Sequence, residues 1–205
     1  MTKPKDTTEH YYADQPKSEA KFGLVQTRLR GKPFEFVTAS SVFSIKRVDL
    51  GTRVLIESMK LPDSGCVLDI GCGYGAVGIA VGAFNRKLRV FLTDVNRRAV
   101  LLARQNAKRN RVSNVEVRHG TLYEPVEDLT FNCVLSNPPV SAGMQTVEAL
   151  IRGAPAVMAN KATFQMVVRS KIGKKTLPQV FTEAFGNCAV LAIESGYRVL
   201  TAEKQ

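Results

Sequence analysis

The chain has 205 residues, 44% of them hydrophobic, and a formal net charge of +11. That length allows one globular domain with at most a small appendage, and no run of about 18 apolar residues exists to form a membrane-spanning helix. So large a positive field favours an anionic partner, with nucleic acid as the first candidate. The polar start, MTKPKDTTEHYY, has no apolar signal-peptide core, which points to the cytoplasm. The four cysteines form no C-x-x-C pair, and His10 and His119 are the only histidines. That inventory argues against a structural zinc site and for buried, reduced thiols.

Residues 22–40, FGLVQTRLRGKPFEFVTAS, alternate around a Gly31-Lys32 turn and predict a β-hairpin. Residues 48–60 carry Val48, Leu50, Val54, Leu55 and Met59 at the spacing of an amphipathic helix. From Cys66 onward strands and helices alternate. CVLDI is a strand, GAVGIAVGAFN a helix, and LRVFLTD a strand ending on Asp94. NRRAVLLARQNAKRN is a helix expected to turn Val100, Leu101, Ala103 and Ala107 inward. VEVRHG is a strand, and FNCVLSNPP another, closed by Pro138 and Pro139. QTVEALIRGAPAVM reads as a helix, ATFQMVVRS as a strand and TLPQVFTEAFG as a helix. NCAVLAIES and GYRVLTAEK are strands joined at Ser195-Gly196, a turn too short for anything but an antiparallel pair. The pattern predicts an α/β fold: a Rossmann-like, seven-stranded, mainly parallel sheet, helices on both faces, and the last strand antiparallel.

The segment VLDIGCGYGAVGIA, residues 67–80, runs from a strand into glycines. Gly73, Gly75 and Gly78 fit the dinucleotide fingerprint G-x-G-x-x-G, and Asp94 stands about 20 residues on, where that motif's ribose acid belongs. A dehydrogenase is therefore one reading. Its register is wrong, because the first glycine should follow the strand directly. Here Gly71-Cys72 intervene, and Asp69 would interrupt the strand. Read as Asp69-x-Gly71-x-Gly73-x-Gly75, the loop sets a carboxylate at the strand end beside bare backbone. That carboxylate can pair with an ammonium group. The glycines admit a ligand close to the backbone, and Asp94 can accept from two ribose hydroxyls. An amino acid at one end and a ribose in the middle describe S-adenosylmethionine. The plain alternative is a tight turn with Asp69 as a helix cap.

SNPPV, residues 136–140, closes the strand from Phe131. Pro138 and Pro139 lack N–H donors and hold an extended shape, which leaves carbonyls free to face a ligand. Asn137 adds a side-chain acceptor. Asn137, Pro138 and Pro139 are thus the candidate catalytic group, able to hold an exocyclic –NH2 and aim its lone pair at a methyl donor. Such a transfer needs positioning more than a strong base. The plain alternative is a turn that ends a strand. Ligands of these sheets sit outside the carboxyl ends of the strands, where strand order reverses. The glycine loop, Asp94 and the prolines should therefore converge on one rim.

With D-x-G-x-G-x-G from Asp69, an acid after the second strand and N-P-P after the fourth, the chain resembles class I S-adenosylmethionine-dependent methyltransferases, above all those acting on planar amino groups. VFSIKRVDLGTRVLIE (42–57) and NPPVSAGMQTVEALI (137–151) look like the "methyltransferase small" group, which includes the small-subunit ribosomal RNA guanine-N2 methyltransferases. EHYY, the hairpin and GYRVLTAEK are similar to short, single-domain archaeal members. The resemblance implies a methyltransferase domain over 41–205, preceded by a tail and hairpin extension over 1–40. It implies that Asp69, Gly71, Gly73 and Gly75 line the methionine end, and that Asp94 binds the ribose with Val95 beside the adenine. Gly120, Thr121 and Leu122 would meet the adenine edge, Phe43 would close over the pocket, and Asn137 would border cofactor as well as substrate. Many relatives carry Asp at the Thr121 position, whereas threonine accepts only through its hydroxyl. Val140 stands where adenine-N6, cytosine-N4 and release-factor glutamine methyltransferases usually stack an aromatic on the target. Valine offers only an apolar wall, which argues against those three and fits guanine-N2 enzymes loosely, since the position varies among them.

The implied activity is metal-free methyl transfer to an exocyclic base amine of RNA, foremost guanine N2 of small-subunit rRNA, free or within the subunit. Protein-glutamine or adenine-N6 methylation, a dehydrogenase and a non-catalytic RNA-binding module are the alternatives. Two basic clusters could meet RNA. Arg97, Arg98, Arg104, Lys108, Arg109 and Arg111 belong to one helix, where a solvated outer face is the plain alternative. RSKIGKK, residues 169–175, follows the fifth strand and so faces the rim, with Lys171, Lys174 and Lys175 as candidate substrate contacts. RNA bound there should dissociate readily as salt rises. The target base must be unpaired or flipped to reach Asn137.

Overall fold

The computed structural model describes residues 21–42, 44, 46–138, 143–172, 174 and 176–205. A hairpin comes first: β1 (Phe22–Leu29) pairs antiparallel with β2 (Lys32–Ala39). Its turn is Arg30-Gly31, one residue earlier than the sequence suggested. Both turn residues take positive φ, 43° and 76°, as a two-residue hairpin turn requires, and Lys32 already pairs with Leu29.

After α1 (Leu50–Ser58) the alternation runs β3 (Gly65–Ile70), α2 (Ala76–Phe84), β4 (Leu88–Asp94), α3 (Arg97–Arg109), β5 (Val115–His119) and β6 (Phe131–Ser136). It continues with α4 (Met144–Gly153), β7 (Met158–Arg169), α5 (Thr176–Phe185), β8 (Ala189–Glu194) and β9 (Tyr197–Glu203). The expected seven-stranded sheet forms in the order β5-β4-β3-β6-β7-β9-β8. β9, the last strand, is antiparallel to β7, and β3, β4, β5, β6 and β7 run parallel. Strand order reverses between β3 and β6, and Ser136 Oγ donates to Ile70 O at 3.0 Å to tie those two ends together. No helix among the described residues is long and apolar enough to cross a membrane.

One face of the sheet is covered by α1, α2, α3 and the hairpin, the other by α4 and α5. The inward face of α3 differs from expectation. Leu102 is buried, whereas Leu101 is 64% exposed. The stripe repeats at three- and four-residue steps through Ala99, Leu102, Ala103, Asn106 and Ala107, and Leu101 lies about 200° round the helix from Ala103. Leu50, also expected inside, opens α1 and is 40% exposed.

The hairpin is joined to α3 by two asparagines one turn apart. Asn106 Oδ1 accepts from Val37 N at 2.7 Å, and its Nδ2 donates to Val37 O at 2.9 Å. Asn110 repeats this pair on Glu35, at 3.0 and 2.7 Å. Two side-chain amides thus act as the neighbouring strand that β2 lacks on that side. Asn106 Nδ2 also donates to Tyr74 O at 2.9 Å, inside the glycine loop, and Phe36 of β2 packs on the Tyr74 ring with centroids 5.6 Å apart.

Helix α2 lies close on β4. A Cβ on Gly78 would fall 2.6 Å from Leu92 Cγ, an atom of a side chain with no exposed surface. Gly78→Ala should therefore destabilise the protein by about 1–3 kcal/mol, through overpacking. Urea unfolding checks this, and an unchanged midpoint would contradict it.

Candidate active site

A cavity of about 590 Å³ opens at the carboxyl ends of β3, β4, β5 and β6, with α4 along one side. Of the sequence-predicted residues, Asp69, Gly71, Gly73, Asp94, Val95, Thr121, Leu122 and Asn137 all line it. Gly75 stands just behind, as the N-cap of α2. Phe43, Pro139, Val140 and Lys175 lie outside the described residues. Asp69 and Asp94 are the only charged residues in the lining among the described residues, so an acidic cavity sits in a chain of net charge +11.

The loop geometry explains how those carboxylates are placed. Gly71 N and Cys72 N both donate to Thr93 O, at 2.9 and 3.0 Å, which folds the loop over the end of β4. Gly71 has φ +71°, and a Cβ added there would meet nothing within 4 Å, so the backbone needs glycine for its conformation and faces open space. Gly73 N donates to Asp94 Oδ2 and Asn96 N to Asp94 Oδ1, both at 2.8 Å. The strand CVLDI forms as read, and Asp69 does not interrupt it, contrary to the objection raised against the dinucleotide register. Asp69 lies within β3, and its Oδ2 accepts from Gly78 N at 2.8 Å. Asp69 therefore does cap α2, whose N-cap glycine has no side chain to do so. Capping and ligand binding are compatible, because a carboxylate has further lone pairs to offer.

Burial pushes the Asp69 carboxyl up to about 7, with the nearby Asp94 charge adding to the rise and the Gly78 bond opposing it. Burial likewise raises Asp94, against the pull of Asn96 N, Gly73 N and His119. Two desolvated carboxylates, with no Lys, Arg or His among the described lining residues, call for a cationic ligand. They repel a pyrophosphate. The amide of Gly73, which a dinucleotide site would turn to phosphate, is already taken by Asp94. Thr93 Oγ1 is buried in the cavity wall with no partner among the described residues, a further place for a polar ligand atom.

Along the rim, His119 Nε2 lies 2.8 Å from Val95 O and fixes the turn after β4. Thr121 is exposed at the mouth. Tyr123 Oη donates to Leu150 O at 2.6 Å, which draws α4 against the segment after β5 and brings Gln145, Thr146 and Ala149 into the lining. The sequence reading missed these α4 residues, along with Thr52 and Tyr74. Their signal was a helical face directly after N-P-P. Asn137 is half-buried and Pro138 buried. The Asn137 amide nitrogen donates to Thr52 Oγ1 at 2.9 Å, which leaves Oδ1 as the acceptor of a side chain that lines the cavity.

Lys171 and Lys174 are exposed beyond the end of β7, next to β6 in the sheet. Lys46 and Arg47, exposed just before α1, are further positive charges that were not anticipated. The α3 cluster is largely engaged within the protein. Arg98 donates to Ser40 O, Arg104 to Val117 O and Arg109 to Glu35. All four cysteines are free, Cys72 and Cys133 buried, Cys66 and Cys188 only partly so. Among the described residues no group of three or more His, Cys, Asp or Glu could hold a metal ion.

The family model for the methyltransferase small domain matches residues 33–201. Uncharacterized protein YbxB of Bacillus subtilis is 34% identical over 199 residues, 96% of this chain and 99% of that protein. Ribosomal RNA small subunit methyltransferase C of Erwinia tasmaniensis is 31% identical over 171 residues, 82% of this chain and 48% of that protein. The chain thus spans about half the length of the rRNA methyltransferases it matches. Among solved structures, the T. thermophilus 16S rRNA N2 methyltransferase RsmC, in complex with AdoMet and guanosine, shares the fold with a TM-score of 0.81 at 23% identity, over 93% of this chain and 52% of that one.

Proposed function

The chain belongs to the methyltransferase small family, and from that premise we propose that it is an S-adenosylmethionine-dependent RNA methyltransferase acting on guanine N2 of small-subunit rRNA. The observation that carries the cofactor is the acidic cavity, whose only charged lining residues, among those described, are Asp69 and Asp94. When bound, S-adenosylmethionine supplies a methyl on a sulfonium, which becomes a neutral thioether as an attacking nitrogen takes the methyl. Asp69 holds the ammonium end of that cofactor and Asp94 its ribose hydroxyls. Val95, Leu122 and Ala149 offer apolar contact to its base. Asn137 Oδ1 and the Pro138 carbonyl accept from the target –NH2 and aim its lone pair into the cavity. They need remove no proton beforehand, since the amine sheds its extra proton to water after transfer.

The rRNA substrate is supported by the names of the matched relatives, by the guanosine in the T. thermophilus complex, and by Lys171 and Lys174 beside the rim. Such a substrate places the protein in the cytoplasm. Calorimetry with S-adenosylmethionine, followed by transfer of labelled methyl to small-subunit RNA, free and in assembled subunits, tests the reading. We expect cofactor binding, label in guanine, and RNA affinity that falls steeply between about 50 and 200 mM salt. Binding of NADH in place of S-adenosylmethionine would overturn it.

A further inference from the structure

The Asn137 amide is gripped from α1, an element that contributes neither to the glycine loop nor to the N-P-P turn. Nδ2 donates to Thr52 Oγ1 at 2.9 Å and to Asp49 Oδ2 at 3.4 Å, so two acceptors meet its two hydrogens. Asp49 is the N-cap of α1, and the same Oδ2 accepts from Gly51 N at 2.9 Å and Thr52 N at 3.2 Å. Among the described residues Asn137 Oδ1 accepts no hydrogen bond. An amide turned the other way would set Oδ1 against a carboxylate, so the orientation is fixed by charge as well as by geometry.

We propose that Asp49 and Thr52 are positioning residues for methyl transfer: they lock the Asn137 amide with Oδ1 toward the substrate and strengthen that oxygen as an acceptor. This rests on the reaction proposed above. A carboxylate on the nitrogen side makes the hydrogen bond charge-assisted and shifts electron density through the amide toward Oδ1. The corner is partly buried: Thr52 has little exposed surface, and Asp49 and Asn137 are half-buried. Tyr74 beside it is buried, and its phenol is raised first by that burial and then by the Asp49 charge. Polarisation is screened less in such surroundings than in open water.

Asp49→Asn separates the two jobs of Asp49, because Asn and Asp cap helices about equally well. We expect an unchanged melting temperature and unchanged S-adenosylmethionine affinity, with kcat down about tenfold, the loss of one hydrogen bond of ordinary net strength. Thr52→Val should lose a similar factor, and Thr52→Ser should regain most of it. Asparagine-selective 15N spectra of the ligand-free protein give a reading independent of turnover. The Asn137 amide hydrogens should exchange slowly in the wild type, and faster and at shifted resonances in Asp49→Asn and Thr52→Val. Wild-type kcat in both variants, or fast exchange in the wild type, overturns the proposal. Wild-type protein that binds cofactor but methylates no RNA instead overturns the assigned reaction, and amide exchange then decides whether the grip exists.

Discussion

Asp69→Asn is expected to make the ligand-free protein more stable at neutral pH and, at the same time, to destroy its affinity for S-adenosylmethionine. Asparagine keeps an oxygen for Gly78 N and removes a buried charge. Burial pushes the carboxyl up to about 7 in the folded chain, from an ordinary value of 3.8. Because the folded value is the higher one, the stability tied to this group is fully present below about pH 3.8 and is lost as pH rises through about 7. The shift corresponds to about 4 kcal/mol at most. Melting curves of the two proteins should therefore coincide near pH 4 and separate by several degrees above pH 7, the asparagine variant melting higher. Cofactor binding should run the other way, weakening in the wild type as pH falls below about 7, because the ligand's ammonium needs the ionised partner. Parallel melting curves across that range would remove the uncompensated charge from the account.

Asn137→Ala is expected to lower kcat by about 100-fold or more, the cost of a misplaced reacting group, with S-adenosylmethionine affinity nearly intact. The cofactor's amino-acid and ribose ends are assigned to Asp69 and Asp94, on β3 and β4, whereas Asn137 follows β6. Single-turnover rates, set beside calorimetric cofactor titrations, separate the two effects. A variant that loses cofactor affinity in proportion to rate would move Asn137 from orienting the amine to holding the cofactor.

Most of the architecture was legible because each strand–helix unit carries its own periodicity and punctuation. Ser195-Gly196 forced the antiparallel last pair, and Asp94 closes β4 where the sequence ended that strand. The cofactor loop was legible for the same local reason, since its carboxylate and glycines lie within seven residues, Asp69 to Gly75. What failed was phase and distance. Leu101 and Leu102 are adjacent leucines, and only the packing of α3 on the sheet and hairpin decides which turns inward. Asp49 and Thr52 meet Asn137 across 88 and 85 residues of chain, so no window of sequence holds both partners. The sequence of α1 showed a helix there but held no sign of what its first turn would touch. The α4 residues in the lining depend on Tyr123 drawing that helix to β5, another contact between distant segments.

The asparagine pair on α3 has a thermodynamic consequence. Asn106 bonds on one side to β2 and on the other to the Tyr74 carbonyl, so the hairpin and the cofactor loop share a single side chain. A shared joint transmits free energy both ways. To the extent that a ligand bound at the loop steadies residues 22–39 through Asn106, a loosened hairpin weakens that binding by the same coupling free energy. The first strands of the chain, far from any reacting atom, are in this sense part of the binding constant.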